Sequence, residues 1–403
     1  MGTDLSSIAG ALKRVYDDYV EKQQNLKHRA MDEIAKDLRP YNAGGEGFFG
    51  AINDYGNESV GAISELEAFR TIDNENYAQW KVVPKVLVAP ITFSGLSAKA
   101  AEGDEESFLN VVTDALDMAK ERLMKDANRQ FFGYGNGLLA KPTAAVASNL
   151  TSFTVDSAQY LRRNMVLDIF QAATKTVDSI RVSDVDKVNS VVYLATSLGA
   201  ALTATSQIVK ENIRDSAASD GKEMMGIEGI ADDSTLLTTF QNIDASASRI
   251  WRGRVIAAGS VNLTSDLLQR VIDDVAVLSG EEPDALLMHP KQRRKYLDLV
   301  VPQKRYQDQG LDAGFSKLSF NGKELWLDVD AKDTYVYAIN KKYLRKFEVS
   351  PLAMGGYEGS DKFLRLAGYD RYEAFWRWYA NFGTSKRNAH GLITGLTTPT
   401  GVA

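Results

Sequence analysis

Apolar residues near the start of the chain fall on one side of a helix. Ile8, Leu12, Val15, Tyr19, Leu26, Ala30 and Ile34 recur at spacings of three, four or seven, which predicts one helix over residues 5–39. Lys13, Arg14, Asp17, Asp18, Glu21 and Lys22 take the other side, and such mixed charge does not suit a membrane surface. Pro40 stops the helix, and Gly44, Gly45 and Gly47 break the chain after it. The helix is expected to pack on its own subunit, the alternative being an arm that docks on a neighbouring chain.

The pattern then changes. Tyr77, Trp80, Val82, Val83, Val86, Leu87, Val88, Ile91 and Phe93 are mostly β-branched or aromatic, as strands prefer. Pro84 and Pro90 cannot donate to a central ladder, so residues 77–96 are predicted as a two-stranded ribbon or as edge strands. An isolated ribbon is marginal in water, so this one needs a surface to lie on.

The clearest helix is predicted over 104–129. Asp104 sits at the N-cap, Glu105 and Glu106 complement the helix dipole, and Lys120, Arg122, Lys125 and Arg129 crowd the opposite end. Phe108, Val111, Val112, Ala115, Met118, Ala119, Leu123 and Ala127 form its apolar side. Such a rod is about 39 Å long. Gly133-x-Gly135-x-Gly137 ends it.

Further on, the pattern predicts a strand over 182–192, a small-residue helix over 194–212, a loop over 216–229, a helix over 263–278 and a buried strand over 285–288. Asn321-Gly322 signals a hairpin joining 317–320 to 324–329. Tyr335, Tyr337 and Ile339 alternate in the next strand, and Tyr372, Trp376, Trp378 and Phe382 share one face of the segment 369–382.

Composition narrows the chemistry. The chain has 403 residues, 44% of them hydrophobic and 25% charged, enough for a sizeable core. It has no cysteine, which excludes disulfides, thiol nucleophiles and cysteine-held metal. Its formal charge of −6 argues against a protein that coats nucleic acid. The start lacks a secretory signal, and the longest weakly polar run, 191–204, is shorter than the roughly 20 residues of a membrane span.

No motif supplies catalysis, so no catalytic, cofactor-binding or metal-ligating residue is expected. His28, His289 and His390 have no ligand spacing between them. The glycine cluster follows a helix, which presents carbonyls rather than the amides a phosphate needs. Asp328-x-Asp330-x-x-Asp333 lacks the later ligands of a calcium loop and is expected to be a solvated turn. The basic cluster Lys291, Arg293, Arg294, Lys295, Lys304 and Arg305 is expected to be solvated or paired between subunits. What remains is an inventory of extensions: a long helix, a ribbon, a rod and an aromatic sheet. That inventory suits a protein that contacts copies of itself, with Trp80, Val83, Ile91 and Phe93 as candidate assembly contacts.

This order of elements resembles the major capsid proteins of tailed bacteriophages, the Hong Kong 97 fold. The resemblance rests on Trp80-Lys81-Val82-Val83-Pro84 and Pro90-Ile91-Thr92-Phe93-Ser94-Gly95, on 105–129 with its glycine turn, and on Ala285-Leu286-Leu287-Met288-His289-Pro290. Ala313-Gly314-Phe315, Phe320-Asn321-Gly322-Lys323-Glu324-Leu325 and Gly368-Tyr369-Asp370-Arg371-Tyr372-Glu373-Ala374 extend it. It implies an α+β fold divided into an N-terminal arm (1–60), an extended ribbon loop (61–103), a peripheral domain with a spine helix (104–150), an axial domain (151–340) and a return to the peripheral domain (341–403). It further implies a virion shell of hexamers and pentamers assembled in the bacterial cytoplasm around double-stranded DNA, with no membrane. A scaffolding protein, a portal and a decoration protein are the implied partners. The extra N-terminal residues that some relatives use as a built-in scaffold are missing, which implies a separate scaffold or guidance by the 5–39 helix. Lys81 and Lys85 lie in the candidate ribbon, but no acceptor asparagine aligns for the covalent crosslink that some relatives form. The rival readings are an encapsulin-type compartment shell of the same fold and an enzyme with scattered site residues.

Overall fold

The structure is a computed structural model describing residues 29–41, 46–68, 70–71, 74–95, 105–171, 174–214, 221–304, 319–355, 364–365 and 368–398. Most of the predicted N-terminal helix, together with His28, Arg305 and Ala313-Gly314-Phe315, lies outside the described residues. The described part of that helix, Arg29–Asp32, stops seven residues before the predicted end. Backbone pairing overrides the helical period there. Lys36 bridges Lys346 in parallel, Asp37 N–H donates to Lys346 O at 2.9 Å, and Lys346 N–H donates to Ala35 O at 3.0 Å. Ala30, Met31 and Ile34 stay buried in the core.

Of the two expected forms for residues 77–96, the second is found: the segment supplies edge strands, one to each of two sheets. Phe48–Tyr55 and Asn76–Val82 form an antiparallel two-stranded ribbon. Lys85–Ser94 instead runs antiparallel along Arg371–Thr384, which also carries Leu344–Met354 and Leu364–Arg365. Val83 and Pro84 are the bend between the two sheets, so the proline separates strands rather than flattening one edge.

The spine helix, Glu105–Phe131, lies under that sheet. Trp376 Nε1–H donates to Leu116 O at 2.9 Å, and Lys120 sits over the Trp376 ring at 5.3 Å. After the glycine turn, where Gly135 and Gly137 have positive φ, the chain builds an antiparallel sheet from Leu138–Ala140, Gln207–Lys210, Val166–Gln171, Thr174–Asp186, Val191–Leu194 and Ser152–Thr154. The helix expected over 194–212 is absent. Leu198 and Leu202 are buried, and Val146 and Leu202 exchange backbone hydrogen bonds of 3.0 and 2.8 Å, so a small-residue stretch is consumed in pairing with another loop.

A mixed sheet follows, ordered Arg254–Val261, Gly391–Leu396, Val336–Ile339, Ala285–Met288, Lys323–Leu327, Ser319–Phe320. The helix Ser265–Ser279 covers it through Leu268, Val271, Ile272 and Val275. Thr264 caps that helix by accepting from Leu267 N–H at 3.2 Å, and Gly280 ends it at φ 74°. Asn321 and Gly322 take φ of 47° and 73°, the mirror-image turn that the dipeptide favours. Among the described residues three hydrophobic clusters result, one under the ribbon base and spine helix and one beneath each large sheet.

Candidate assembly surface

The sheet over the spine helix has two unlike faces. In its antiparallel register Leu87 lies opposite Trp378, Ile91 opposite Ala374 and Phe93 opposite Tyr372. These residues turn toward the helix. Leu87, Trp378 and Ala374 are buried, and Phe93 stacks on Tyr372 with centroids 5.6 Å apart. The other face pairs Val86 with Tyr379, Val88 with Arg377 and Pro90 with Phe375. Val86 and Val88 are 60% and 49% exposed there, and Ala353 opposite Arg377 extends the open face.

The four predicted contacts therefore do not form one surface. Trp80 is 1% exposed, so it is a core residue of its own subunit and not an outward contact. Its ring lies 5.7 Å from Phe347 and under the Arg39 guanidinium at 4.8 Å. Val83 is exposed at the bend, while Ile91 and Phe93 are partly buried on the helix side. Val86 and Val88, not among the four, are the exposed apolar residues of this strand, and their alternation with Leu87 and Ala89 carried that signal. Beyond the ribbon's base, the tip exposes Val60 and Leu66 almost fully, with Tyr55 and Tyr77 beside it on the strands.

Polar groups cluster at the C-terminal end of the spine helix. Asp328 and Asp330, expected to be solvated, are 5% and 4% exposed. Asn128 Nδ2 donates to Asp328 at 3.1 Å and to Asp330 at 2.6 Å, and Lys125 Nζ sits 2.8 Å from Asp330 Oδ2. Ala30 N–H donates to Asp328 at 3.0 Å, and the Tyr160 hydroxyl donates to Asp330 O. Burial pushes the Asp330 carboxyl up, against the pull of Lys125. The two buried aspartates, Asp328 and Asp330, thus fasten the spine helix to Arg29–Asp32 and to Tyr160.

One residue along, Arg129 pairs with Asp126 at 3.0 Å and with Glu223, and Lys210 reaches Asp126 at 2.5 Å. Burial works against the Asp126 charge, but Arg129 and Lys210 outweigh it and hold the carboxyl far below the usual carboxylate range. A small, open cleft nearby is lined by Arg129, Tyr134, Asn136, Glu223, Glu228 and Lys332. Its ions neutralise one another, Arg129 on Glu223 and Lys332 on Glu228 at 2.6 Å.

The two described histidines, His289 and His390, are framework residues. His390 is fully buried; Asn340 N–H donates to its Nδ1 at 3.3 Å, which leaves Nε2 to donate to Thr384 Oγ1 at 3.0 Å. Burial pushes it down to about 3. His289 accepts from Lys291 N–H through Nδ1, and burial lowers it to about 4. Lys291 of the basic cluster pairs with Asp333 at 3.2 Å. Among the described residues, no group of three acidic or histidine side chains is placed to hold a metal, and no helix is long and apolar enough to cross a membrane.

Solved structures share this fold. No protein-family model and no curated protein matches the chain. The Cyanophage A-1(L) capsid asymmetric unit matches with a TM-score of 0.61 at 10% identity, over 96% of this chain and 98% of that one. The capsid of Myoviridae phage XM1 matches with a TM-score of 0.51 at 12% identity, again over 96% and 98%. The holo-SrpI encapsulin complex of Synechococcus elongatus aligns at 0.45 with 8% identity, over 100% of this chain and 98% of that one, too slight a likeness to bear on function. The chain has the α+β capsid fold of the Hong Kong 97 type.

Proposed function

We propose that this chain is the major capsid protein of a tailed bacteriophage, a structural and non-catalytic subunit whose copies close into an icosahedral shell around double-stranded DNA. The observation that carries the reading is the end-to-end likeness to a phage capsid subunit, over 96% of this chain at a TM-score of 0.61. The surfaces agree with it. A ribbon with exposed apolar residues at its tip and a sheet with one open apolar face each need a covering, and other copies supply it.

Shell physics fits weak, repeated contacts. Interfaces of about 1,000–2,000 Å² each, multiplied over several neighbours, hold a subunit firmly while allowing misplaced ones to leave. The net charge of −6 suits a container for packaged DNA, since a strongly basic wall would grip it. A scaffolding protein, a portal and a decoration protein are the partners this role calls for, with assembly in the bacterial cytoplasm.

Negative-stain microscopy of the protein co-expressed with its scaffold tests the reading. Closed shells with hexameric and pentameric units are expected. Monomer alone at high concentration would overturn it. Particles that carry an enzyme cargo and no DNA would favour a compartment shell instead.

A further inference from the structure

Besides the packing of Phe48 and Trp80 on Phe347, the ribbon is held on its own subunit by a short segment, residues 238–252. Thr239–Phe240 and Ile243–Asp244 form a small hairpin turned by Gln241 and Asn242, both left-handed at φ 50° and 67°. Glycine or asparagine normally takes such positions, so a glutamine there is held against its preference. Two contacts hold it. Its carbonyl accepts from Lys81 N–H at 2.9 Å, one residue before the end of the ribbon's second strand. Its side-chain amide, oriented to satisfy both atoms, donates to Thr384 O at 2.8 Å and accepts from Thr384 N–H at 3.2 Å.

Farther out, the Ser248 hydroxyl donates to Asp54 Oδ1, and Asn76 Nδ2 donates to Asp54 Oδ2 at 3.4 Å. Asp54 is thus tied to the opposite ribbon strand and to the body at once. The segment itself rests on Arg387, a fully buried cation. Arg387 donates to Gly229 O at 3.0 Å, Ile230 O at 3.2 Å and Trp251 O at 3.3 Å, pairs with Asp232 at 3.3 Å, and lies 4.5 Å over the Phe240 ring. Trp251 Nε1–H closes the segment on Phe240 O at 3.1 Å.

We propose that residues 238–252 are a cradle that sets the direction in which the ribbon leaves the subunit, with Gln241 on Lys81 as the inner hook and Ser248 on Asp54 as the outer clasp. The proposal deepens the assembly reading above and rests on it for its consequence. A ribbon aimed by its own subunit arrives at the neighbour at a fixed angle, and that angle sets shell curvature. The residues are positioning residues; none needs to touch the neighbouring copy.

The test compares wild type with the double variant Asp54→Ala/Ser248→Ala and with Asn242→Gly, which relaxes the turn and keeps the hook. Backbone hydrogen exchange over 48–55 and 76–82, thermal midpoint and particle diameter are read for each. The double variant is expected to exchange at least tenfold faster near 53–55 and 76–78, to keep the wild-type midpoint, and to give shells of mixed diameter. Asn242→Gly is expected to keep ribbon exchange and diameter. Unchanged exchange in the double variant would overturn the clasp. A general acceleration with a lowered midpoint would make it ordinary stability, and a single wild-type diameter despite a loosened ribbon would remove its role in aim. If wild type itself forms no shell, the capsid reading falls while the exchange data still decide whether the clasp exists.

Discussion

The indole of Trp80 fills the space that a Cβ on Gly50 would need: Trp80 Cζ2 lies 2.2 Å from that position, directly across the ribbon. The absent side chain lets the ring fold over the first strand and reach Phe347 and Arg39. Gly50→Ala is therefore expected to displace the indole and lower stability by about 1–3 kcal/mol. A red-shifted tryptophan emission together with a lower thermal midpoint checks it.

Trp80→Ala should be costlier, about 3–5 kcal/mol, because it opens a cavity in a buried aromatic cluster. Folding and assembly should fall together, read as soluble yield and particle yield in one preparation. This reverses what the sequence suggested for Trp80, where an aromatic in a proline-flanked ribbon read as an outward anchor.

The aspartate turn is the second vulnerable point. Asn128 stands between the buried carboxylates Asp328 and Asp330 and donates to both. Asn128→Asp would replace that donor with a third carboxylate, which is expected to cost about 3–5 kcal/mol, as for an uncompensated buried charge. Asn128→Ala removes the donor alone and should cost less. Urea unfolding of both variants at neutral pH checks the order.

Periodicity was a good guide where one element buries one face. The spine helix, the helix Ser265–Ser279, the strand Ala285–Met288 and the Asn321-Gly322 hairpin fall within a few residues of expectation. It failed where a distant strand supplied the backbone partner, as at 35–37 against Lys346 and at Leu202 against Val146. The ribbon's partner, Phe48–Tyr55, was hidden because some twenty intervening tip residues carry no turn signature linking the strands. Asp328 and Asp330 read as solvated because their partners, Asn128 and Lys125, are 200 and 205 positions away along the chain.

Acid should weaken the fold through His390. Its folded value is about 3 against 6.5 when unperturbed, so on acidification the unfolded chain takes up a proton first. Stability is full above pH 6.5 and falls below it by about 1.4 kcal/mol per pH unit for this one group, until the folded value is reached. His390→Gln should be less stable at pH 7, having lost the fit to Thr384 and Asn340, yet should decline less between pH 6.5 and 4. Thermal midpoints of both proteins across that range check the slope, with His289, also lowered, retained in each.

The open sheet face separates assembly from folding. Val86 and Val88 point away from the spine helix and are about half exposed, so a charge there meets water in the free subunit. Val86→Glu/Val88→Glu is thus expected to leave the thermal midpoint within about 0.5 kcal/mol of wild type, as surface changes do. In a shell, the same charges would be desolvated against a neighbour without partners, a cost of about 1–3 kcal/mol or more at every copy. Repetition over many subunits turns that increment into loss of particles, so soluble subunit should accumulate while shells vanish. Leu87→Ala, one residue between and facing the helix, should do the opposite and lower the midpoint by about 2–5 kcal/mol. Size-exclusion chromatography and thermal unfolding of the two variants side by side decide it: shells at wild-type yield from the double glutamate variant would mean that this face stays open to solvent.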